Sequence, residues 1–432
     1  MEPPANTGGG GASGGTGGQA TGSGGLPSGG TSSGGKGGAS AGGAPMGGAP
    51  SSGGTAPTGG APNGGAVGSG GAAFGGMPAA GGTAGTNGGA AGSGGMAVAG
   101  AGGDAGNGGE GGAGGPRIAI DGRRLLVEGK PFHIRGVCWN PVPRGGVHPN
   151  DLDYAAFAPI DIPLMKAAHI NAVRTYEPLL DRSVLDQLSE AGIFVLNSVY
   201  VWGGDPASVV TDRVNAVKDH PAILMWVLGN EWNYNGLYVD LPHAEALARL
   251  NDAAALVRAA DPEHPIASIY GELPTAATID AMPDVDVWGI NAYRGISFGN
   301  LFADFAALSE KPMFLGEYGA DAYNATPAVS AYDPTSQAMA VQALTRAIID
   351  ASAAVNASGV ALGGTLFEWA DEWWKDGSGS PDVQDVGGIA PGGGPYPDQT
   401  FNEEWWGVVD IERNPRPAYD ALRDEFAALV EP

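Results

Sequence analysis

Residues Ile223-Leu224-Met225-Trp226-Val227-Leu228 are six apolar positions in a row, with no polar residue among them. A surface helix would interrupt such a run with a polar face, and a half-buried strand would alternate. An unbroken run of this length fits a strand covered on both faces, the situation of a parallel sheet. It ends in Gly229-Asn230-Glu231, so an amide and a carboxylate stand where the strand would stop. The stretch Lys311-Pro312-Met313-Phe314-Leu315-Gly316-Glu317-Tyr318-Gly319-Ala320-Asp321 repeats the pattern of apolar core, glycine and carboxylate.

Strand-like and helix-like stretches alternate around these two. Phe132 to Asn140, Ile170 to Tyr176 and Ile193 to Trp202 read as the first three inner strands, and the run ending in Glu231 as the fourth. Pro265 to Tyr270, Val285 to Tyr293, the Glu317 stretch and Val360 to Trp369 read as the fifth to eighth. Helical patterns lie between them. Arg182 to Ala191 ends at a capping Gly192. His243 to Ala260 carries an apolar face, and Asp333-Pro334 supplies an N-cap with proline at the first helical position. Ile118 to Val127, with Asp121-Gly122 inside it, reads as a hairpin plugging the base. The pattern predicts an α/β fold, a (β/α)8 TIM barrel over residues 117–432. The other α/β candidate, a doubly wound open sheet, calls for a Gly-rich phosphate turn after the first strand, and that turn is missing from the sequence.

The 432 residues include 77 glycines, and nearly all the excess precedes Pro116. Without a strict Gly-X-Y period and with little apolar area to offset ordering entropy, residues 1–116 are expected to be a disordered Gly/Ala/Ser/Thr/Pro-rich tether. A net charge of -25 argues against a phosphate-backbone ligand and fits a neutral one. No apolar run reaches the length of a membrane span, and Cys138 has no second cysteine to pair with. A tether ahead of a catalytic domain suggests an extracellular or surface-held protein, though Met1-Glu2-Pro3-Pro4 carries no export signal. A monomer is expected.

Two glutamates at the ends of two inner strands are the minimal apparatus for breaking a glycosidic bond. In a barrel, the C-terminal strand ends form the active-site rim. Gly229-Asn230-Glu231 and Gly316-Glu317-Tyr318-Gly319-Ala320-Asp321 resemble the acid/base and nucleophile motifs of retaining glycoside hydrolases of clan A. The wording around Glu317 is similar to that of family 2, with its β-glucuronidases and β-galactosidases. The Gly-Asn-Glu and Glu-Tyr-Gly pairs also resemble fungal β-1,3-glucanosyltransferases.

The resemblance covers the chain from Arg117 onward. It implies that Glu231 ends strand four as acid/base and Glu317 ends strand seven as nucleophile. It also implies Arg174 beside the nucleophile, a Tyr293 hydroxyl touching it, and Trp369 flooring the sugar site. Double displacement needs one carboxylate to attack and one acid to protonate the leaving oxygen, so their proton affinities must differ. Arg174 would keep Glu317 ionised, and that charge with partial burial would raise Glu231. Asn230 would meet the sugar 2-hydroxyl.

Trp139, Trp202 and Trp232 fit either sugar platforms or plain packing, as do Trp373 and Trp374. Glu368, Asp371 and Glu372 form an acidic cluster that fits outer sugar subsites or a solvated charge run; Glu372 is kept as a substrate-binding candidate. The histidines lack metal-ligand spacing, so no metal and no cofactor are expected. The activity these features imply is a retaining β-glycosidase on a β-linked oligo- or polysaccharide. The alternatives are a transglycosylase on the same barrel and a non-catalytic carbohydrate-binding barrel.

Overall fold

A computed structural model describes residues 117–375, 380–386 and 394–429. The expected tether, residues 1–116, lies outside the described residues, as does part of the Gly-rich insertion that follows Lys375.

Eight parallel strands close into a barrel. They are β1 (Ile134–Cys138), β2 (Ala172–Arg174), β3 (Phe194–Tyr200), β4 (Ile223–Leu228), β5 (Ile266–Gly271), β6 (Val287–Asn291), β7 (Met313–Tyr318) and β8 (Ala361–Leu366). Each neighbour in sequence is a neighbour in the ring, and β8 pairs with both β7 and β1. Among the described residues, the helices longer than one turn are α1 (Tyr154–Ala167), α2 (Arg182–Ala191), α3 (Val209–Val217), α4 (His243–Ala260), α5 (Ala276–Asp280), α6 (Leu301–Leu308), α7 (Pro334–Asp350) and α8 (Pro417–Ala427). The expected barrel is therefore the fold. Several strands stop one to three residues short of the apolar runs that predict them, because the last residues of each run leave the ladder to form the rim.

Local chemistry explains several boundaries. Gly192 takes the left-handed conformation (φ 77°) that closes α2. The Asp333 side chain accepts from the Ser336 amide and starts α7. Helix α1 contains Pro159 and Pro163, both on its exposed side. Helix α5 is the shortest of these, a five-residue segment that no sequence pattern announced.

Apolar side chains form two separate cores. Ala172, Leu196, Met225, Val227, Ala267, Val287 and Phe314 fill the interior of the ring. Val173, Trp226, Leu228, Trp288, Ile290 and Leu315 point outward into the helix layer. Strand period two sorts the residues: Ala172 points in and Val173 out, Val287 in and Trp288 out. The N-terminal hairpin pairs Ile118–Asp121 with Arg124–Val127 and places Ile118 and Leu125 in the inner core, which closes the base. Its loop is Gly122 and Arg123, one residue later than the Asp-Gly pair suggests, because Asp121 still pairs with Arg124.

Candidate active site

All eight strands run the same way, so Glu231, beyond β4, and Glu317, the next-to-last residue of β7, lie at the same end of the ring. Neither arrives there by simple continuation of its strand. Gly229 is left-handed (φ 70°), and a Cβ at that position would meet the Trp232 ring at 2.6 Å. Glu231 is itself left-handed (φ 45°), a conformation that costs a non-glycine residue about 1–3 kcal/mol and that clusters at functional sites. These two reversals turn the chain into the single helical turn Trp232–Asn235 with Glu231 at its head.

On β7, strict alternation after inward Phe314 and outward Leu315 would point Gly316 inward and Glu317 outward. The register against β6 shifts between Leu315 and Glu317: Leu315 opposes Ile290 and Glu317 opposes Asn291. This bulge reverses the alternation and turns Glu317 into the ring. Gly316 permits it, since a Cβ there would meet the Asn291 amide oxygen at 2.7 Å.

One guanidinium joins the two ends. Arg174, the last residue of β2, is fully buried. Its Nη1 donates to Glu317 Oε1 at 2.9 Å and to the Gly316 carbonyl at 2.7 Å, and its Nη2 donates to Asn230 Oδ1 at 2.6 Å. The Tyr176 hydroxyl donates to Glu317 Oε1 and the Tyr293 hydroxyl to Oε2, each at 2.8 Å. Burial pushes the Glu317 carboxyl up, but Arg174, Lys375 and the two tyrosine hydroxyls outweigh it and hold the group below its ordinary value. Burial, joined by the charge of Glu317, raises both tyrosines well above their ordinary value, so they remain donors.

Asn230 is fixed from all sides. Its Oδ1 accepts from Arg174 and from Asn291 Nδ2 (3.2 Å), and its Nδ2 donates to the Tyr238 hydroxyl at 2.8 Å. Because arginine can only donate, the amide orientation is determined. Tyr238 is pushed up to about 12 by burial, against the Asn230 bond and with the charges of Glu231 and Glu317. The Tyr293 hydroxyl feels both carboxylates as well. The two glutamates therefore share one polar enclosure.

The far wall comes from the segments after β8. The Lys375 ammonium lies 3.3 Å from Glu372 and 3.7 Å from Glu403, and 4.0 Å from the centre of the Phe367 ring. Glu372 also accepts from Asn140 Nδ2 at 2.7 Å. Burial pushes Lys375 down, but Glu372, Glu403, Glu368 and Glu317 outweigh it and hold it protonated. Burial raises Glu368 well above its ordinary value, and Glu372 adds to that. Phe367, Cys138 and Trp406 form an apolar floor against Tyr176, Tyr293 and Phe401.

The expected residues divide into groups. Glu317, Arg174, Asn230 and Tyr293 are bonded to one another, and the Glu231 carboxylate acts on Tyr238 and Tyr293 of the same network. Glu372 joins the opposite wall through Lys375. Three tryptophans are elsewhere: Trp139 and Trp232 take the packing alternative, so their place as substrate-binding candidates is corrected, and so is that of Trp369 as the floor of the sugar site. Trp139 follows inward Cys138 and so points outward, donating to Asp161 at 2.8 Å. Trp232 is folded back under Gly229 and donates to Ser268 Oγ at 3.1 Å. Trp369 is 1% exposed, in the helix-facing core beside Tyr419. None of the three can offer a face to a sugar.

Phe367 and Trp406, not Trp369, pack against Tyr176 and Tyr293, the two tyrosines bonded to Glu317. Trp202 is 43% exposed on the loop after β3. Asp371 is neither a sugar contact nor a solvated charge: Arg416 grips it through both nitrogens at 2.6 Å. Tyr176 and Asn291 were missed, yet each lies two residues from a chosen one (Arg174 and Tyr293) and shares its face by strand period. No local signal marks Tyr238, Lys375, Glu403 or Trp406.

Residues 202–350 match the family model of the glycosyl hydrolases family 2 TIM barrel domain. That span holds Asn230, Glu231, Tyr293 and Glu317. A β-glucuronidase of Paenibacillus borealis is 24% identical over 242 residues, which are 48% of this chain and 38% of the relative. A β-galactosidase of Pseudoalteromonas haloplanktis is 34% identical over 137 residues, 27% of this chain and 13% of the relative. A crystal structure of a family 2 β-galacturonidase from Eisenbergiella tayi, bound to galacturonate, superposes with a TM-score of 0.53 at 20% identity, covering 72% of this chain and 54% of that one. The chain thus spans about half or less of the length of these relatives, and the structural likeness concerns the fold. In fold and in motif wording, the barrel is similar to the catalytic barrel of glycoside hydrolase family 2.

Proposed function

We propose that this barrel, similar to the catalytic barrel of family 2, is a retaining β-glycosidase that cleaves β-linked oligo- or polysaccharide by double displacement. The observation that carries the reading is the fork of Arg174, with one nitrogen on Glu317 and the other on the amide beside Glu231. It ties an ionised carboxylate to the residue preceding a second carboxylate, in one enclosure closed by tyrosine hydroxyls.

In the first step a Glu317 oxygen forms a bond to the anomeric carbon while the bond to the leaving oxygen breaks. Glu231 gives its proton to that oxygen and becomes a carboxylate. In the second step Glu231 takes a proton from the incoming water, the water oxygen bonds the anomeric carbon, and Glu317 is released ionised. Arg174, Tyr176 and Tyr293 hold Glu317 as an anion before attack and reclaim it afterwards. With Oδ1 of Asn230 occupied and one Nδ2 hydrogen on Tyr238, the second Nδ2 hydrogen is the one left for a sugar hydroxyl, and a donor there strengthens as charge develops on the ring. Phe367 and Trp406 are themselves buried and pack behind Tyr176 and Tyr293, so they hold the two tyrosines in place beside Glu317. Tyr234, 57% exposed and under the charges of Glu272 and Glu231, with Trp202, extends the rim toward further sugar units. Residues 1–116 serve as the tether that holds the barrel off a cell surface.

The test is trapping with 2-deoxy-2-fluoro aryl β-glycosides followed by peptide mass analysis. Covalent label on Glu317 is expected. Azide is expected to restore turnover of an activated substrate by Glu231→Ala. Label on another residue, or full activity of that variant without azide, would refute the assignment.

A further inference from the structure

Several of the relatives are described by sugars that carry a carboxylate, glucuronic and galacturonic acid. The wall facing Glu317 in this chain points the other way. Lys375 is the cation on that wall, and it is already committed: Glu372 lies at 3.3 Å and Glu403 at 3.7 Å. Both carboxylates are nearly inaccessible, at 3% and 7% side-chain exposure, while 20% of the Lys375 side chain is exposed. The other cation of the enclosure, Arg174, is fully buried and bonded to Glu317, Gly316 and Asn230. Among the described residues, Lys375 thus lies under the influence of Glu372, Glu403, Glu368 and Glu317, and Arg174 is bonded to Glu317, so neither has its charge to spare.

We propose that Glu372 and Glu403 act as built-in counter-ions to Lys375, so that the sugar taken beside Glu317 is a neutral pyranose and not a uronate. The inference rests on the glycosidase reading above and adds the substrate class to it. A uronate would bring another carboxylate to a wall whose lysine already has two carboxyl partners within 3.3 and 3.7 Å, and like charges set together at an interface without compensation cost several-fold to many-fold in affinity. A neutral sugar brings hydroxyls instead. These can accept from the exposed part of the Lys375 ammonium without adding a negative charge to the wall. Glu403 comes from the loop before Trp406 and Glu372 from the loop after β8, so the wall is assembled from two segments with the lysine between them. Both lie outside the span of residues 202–350 that matches the family 2 model.

The experiment uses the full chain and matched pairs of aryl β-glycosides: glucoside with glucuronide, galactoside with galacturonide, mannoside with mannuronide. The 2-deoxy-2-fluoro analogues of the same pairs are used for trapping. The expected result is that at least one neutral sugar is turned over and labels Glu317, with kcat/KM at least about 100-fold above that of its uronic partner. Turnover and labelling by a uronide at an equal or higher rate overturns this inference and leaves the glycosidase reading standing. Labelling by neither class overturns the glycosidase reading itself. A second measurement uses Glu403→Gln, which removes one counter-ion from Lys375: the uronide-to-neutral ratio of kcat/KM is expected to rise about tenfold. A ratio that stays the same or falls shows that Lys375 is not held by Glu403, and the proposal fails.

Discussion

Two buried arginine–carboxylate pairs belong to the loops and strand ends at one mouth of the barrel, and they are built differently. Arg416 meets Asp371 through both nitrogens at 2.6 Å, and the Gly407 amide and Gln384 Nε2 add one donor to each oxygen at 3.0 Å. Each Asp371 oxygen thus receives two donors, and the side chain has no exposure to solvent. Arg174 meets Glu317 through one nitrogen and spends the other on Asn230, while two phenol hydroxyls complete the set. The Glu317 side chain keeps 8% exposure. A carboxylate saturated by rigid donors is a fastener for the loop after β8. A carboxylate kept anionic by a shared guanidinium and by hydroxyl donors retains an approachable face, which a nucleophile requires.

The sharpest way to break this contrast is to remove each carboxylate charge in turn. Glu317→Gln is expected to lose glycosyl-enzyme formation and about 10^5-fold or more in kcat. Asp371→Asn is expected to keep turnover within about tenfold, since that group touches no substrate. Steady-state rates on one activated substrate check both, and comparable losses would erase the distinction.

The next largest effect is on stability. Arg416→Met leaves Asp371 buried without its partner and is expected to destabilise the barrel by about 3–5 kcal/mol in denaturant unfolding. A change below about 1 kcal/mol would show that the pair is not a fastener. Arg174→Met is expected to lower kcat/KM by about 100- to 1000-fold and to move its acid limb. The sign follows from the depressed proton affinity of Glu317. In the parent protein Glu317 stays ionised as pH falls past the ordinary carboxylate value of about 4.3, and its activity is lost only below that. Without Arg174, the unopposed effect of burial raises the group, and activity disappears at higher pH. A limb that stays in place in the pH–rate profile would mean that Arg174 does not set the charge of Glu317.

The smallest effect isolates one hydroxyl. Tyr293→Phe deletes a donor to Glu317 Oε2 and is expected to cost about 10- to 100-fold in kcat, the range of one hydrogen bond to a charged group. Unchanged kcat would leave Tyr293 as packing against Trp406.

Much of the enclosure is legible from strand period alone. Arg174, Asn291 and Tyr293 fall on inward positions of β2 and β6 and their continuations, counted from Ala172 and Val287. The same count, applied with care, would have excluded Trp139, since Cys138 takes the inward place before it. Lys375, Glu403 and Trp406 were not legible, because they reach the cleft from long loops whose path depends on tertiary contacts and on no repeat. Trp369 misled for a related reason. It ends the stretch read as the eighth strand, but that stretch leaves the ladder at Leu366, and beyond it the position of a residue no longer says which way its side chain points.

The order of apolar runs and amphipathic helices determined the closed eight-strand ring, because each strand buried on both faces must be covered inside by its neighbours and outside by a helix. The same order put Glu231 and Glu317 at one end of it. Only the folded structure decided that Glu317 faces inward. Its own alternation points it at the helix layer, and the shift against β6 is a property of two strands pairing, which neither strand carries alone.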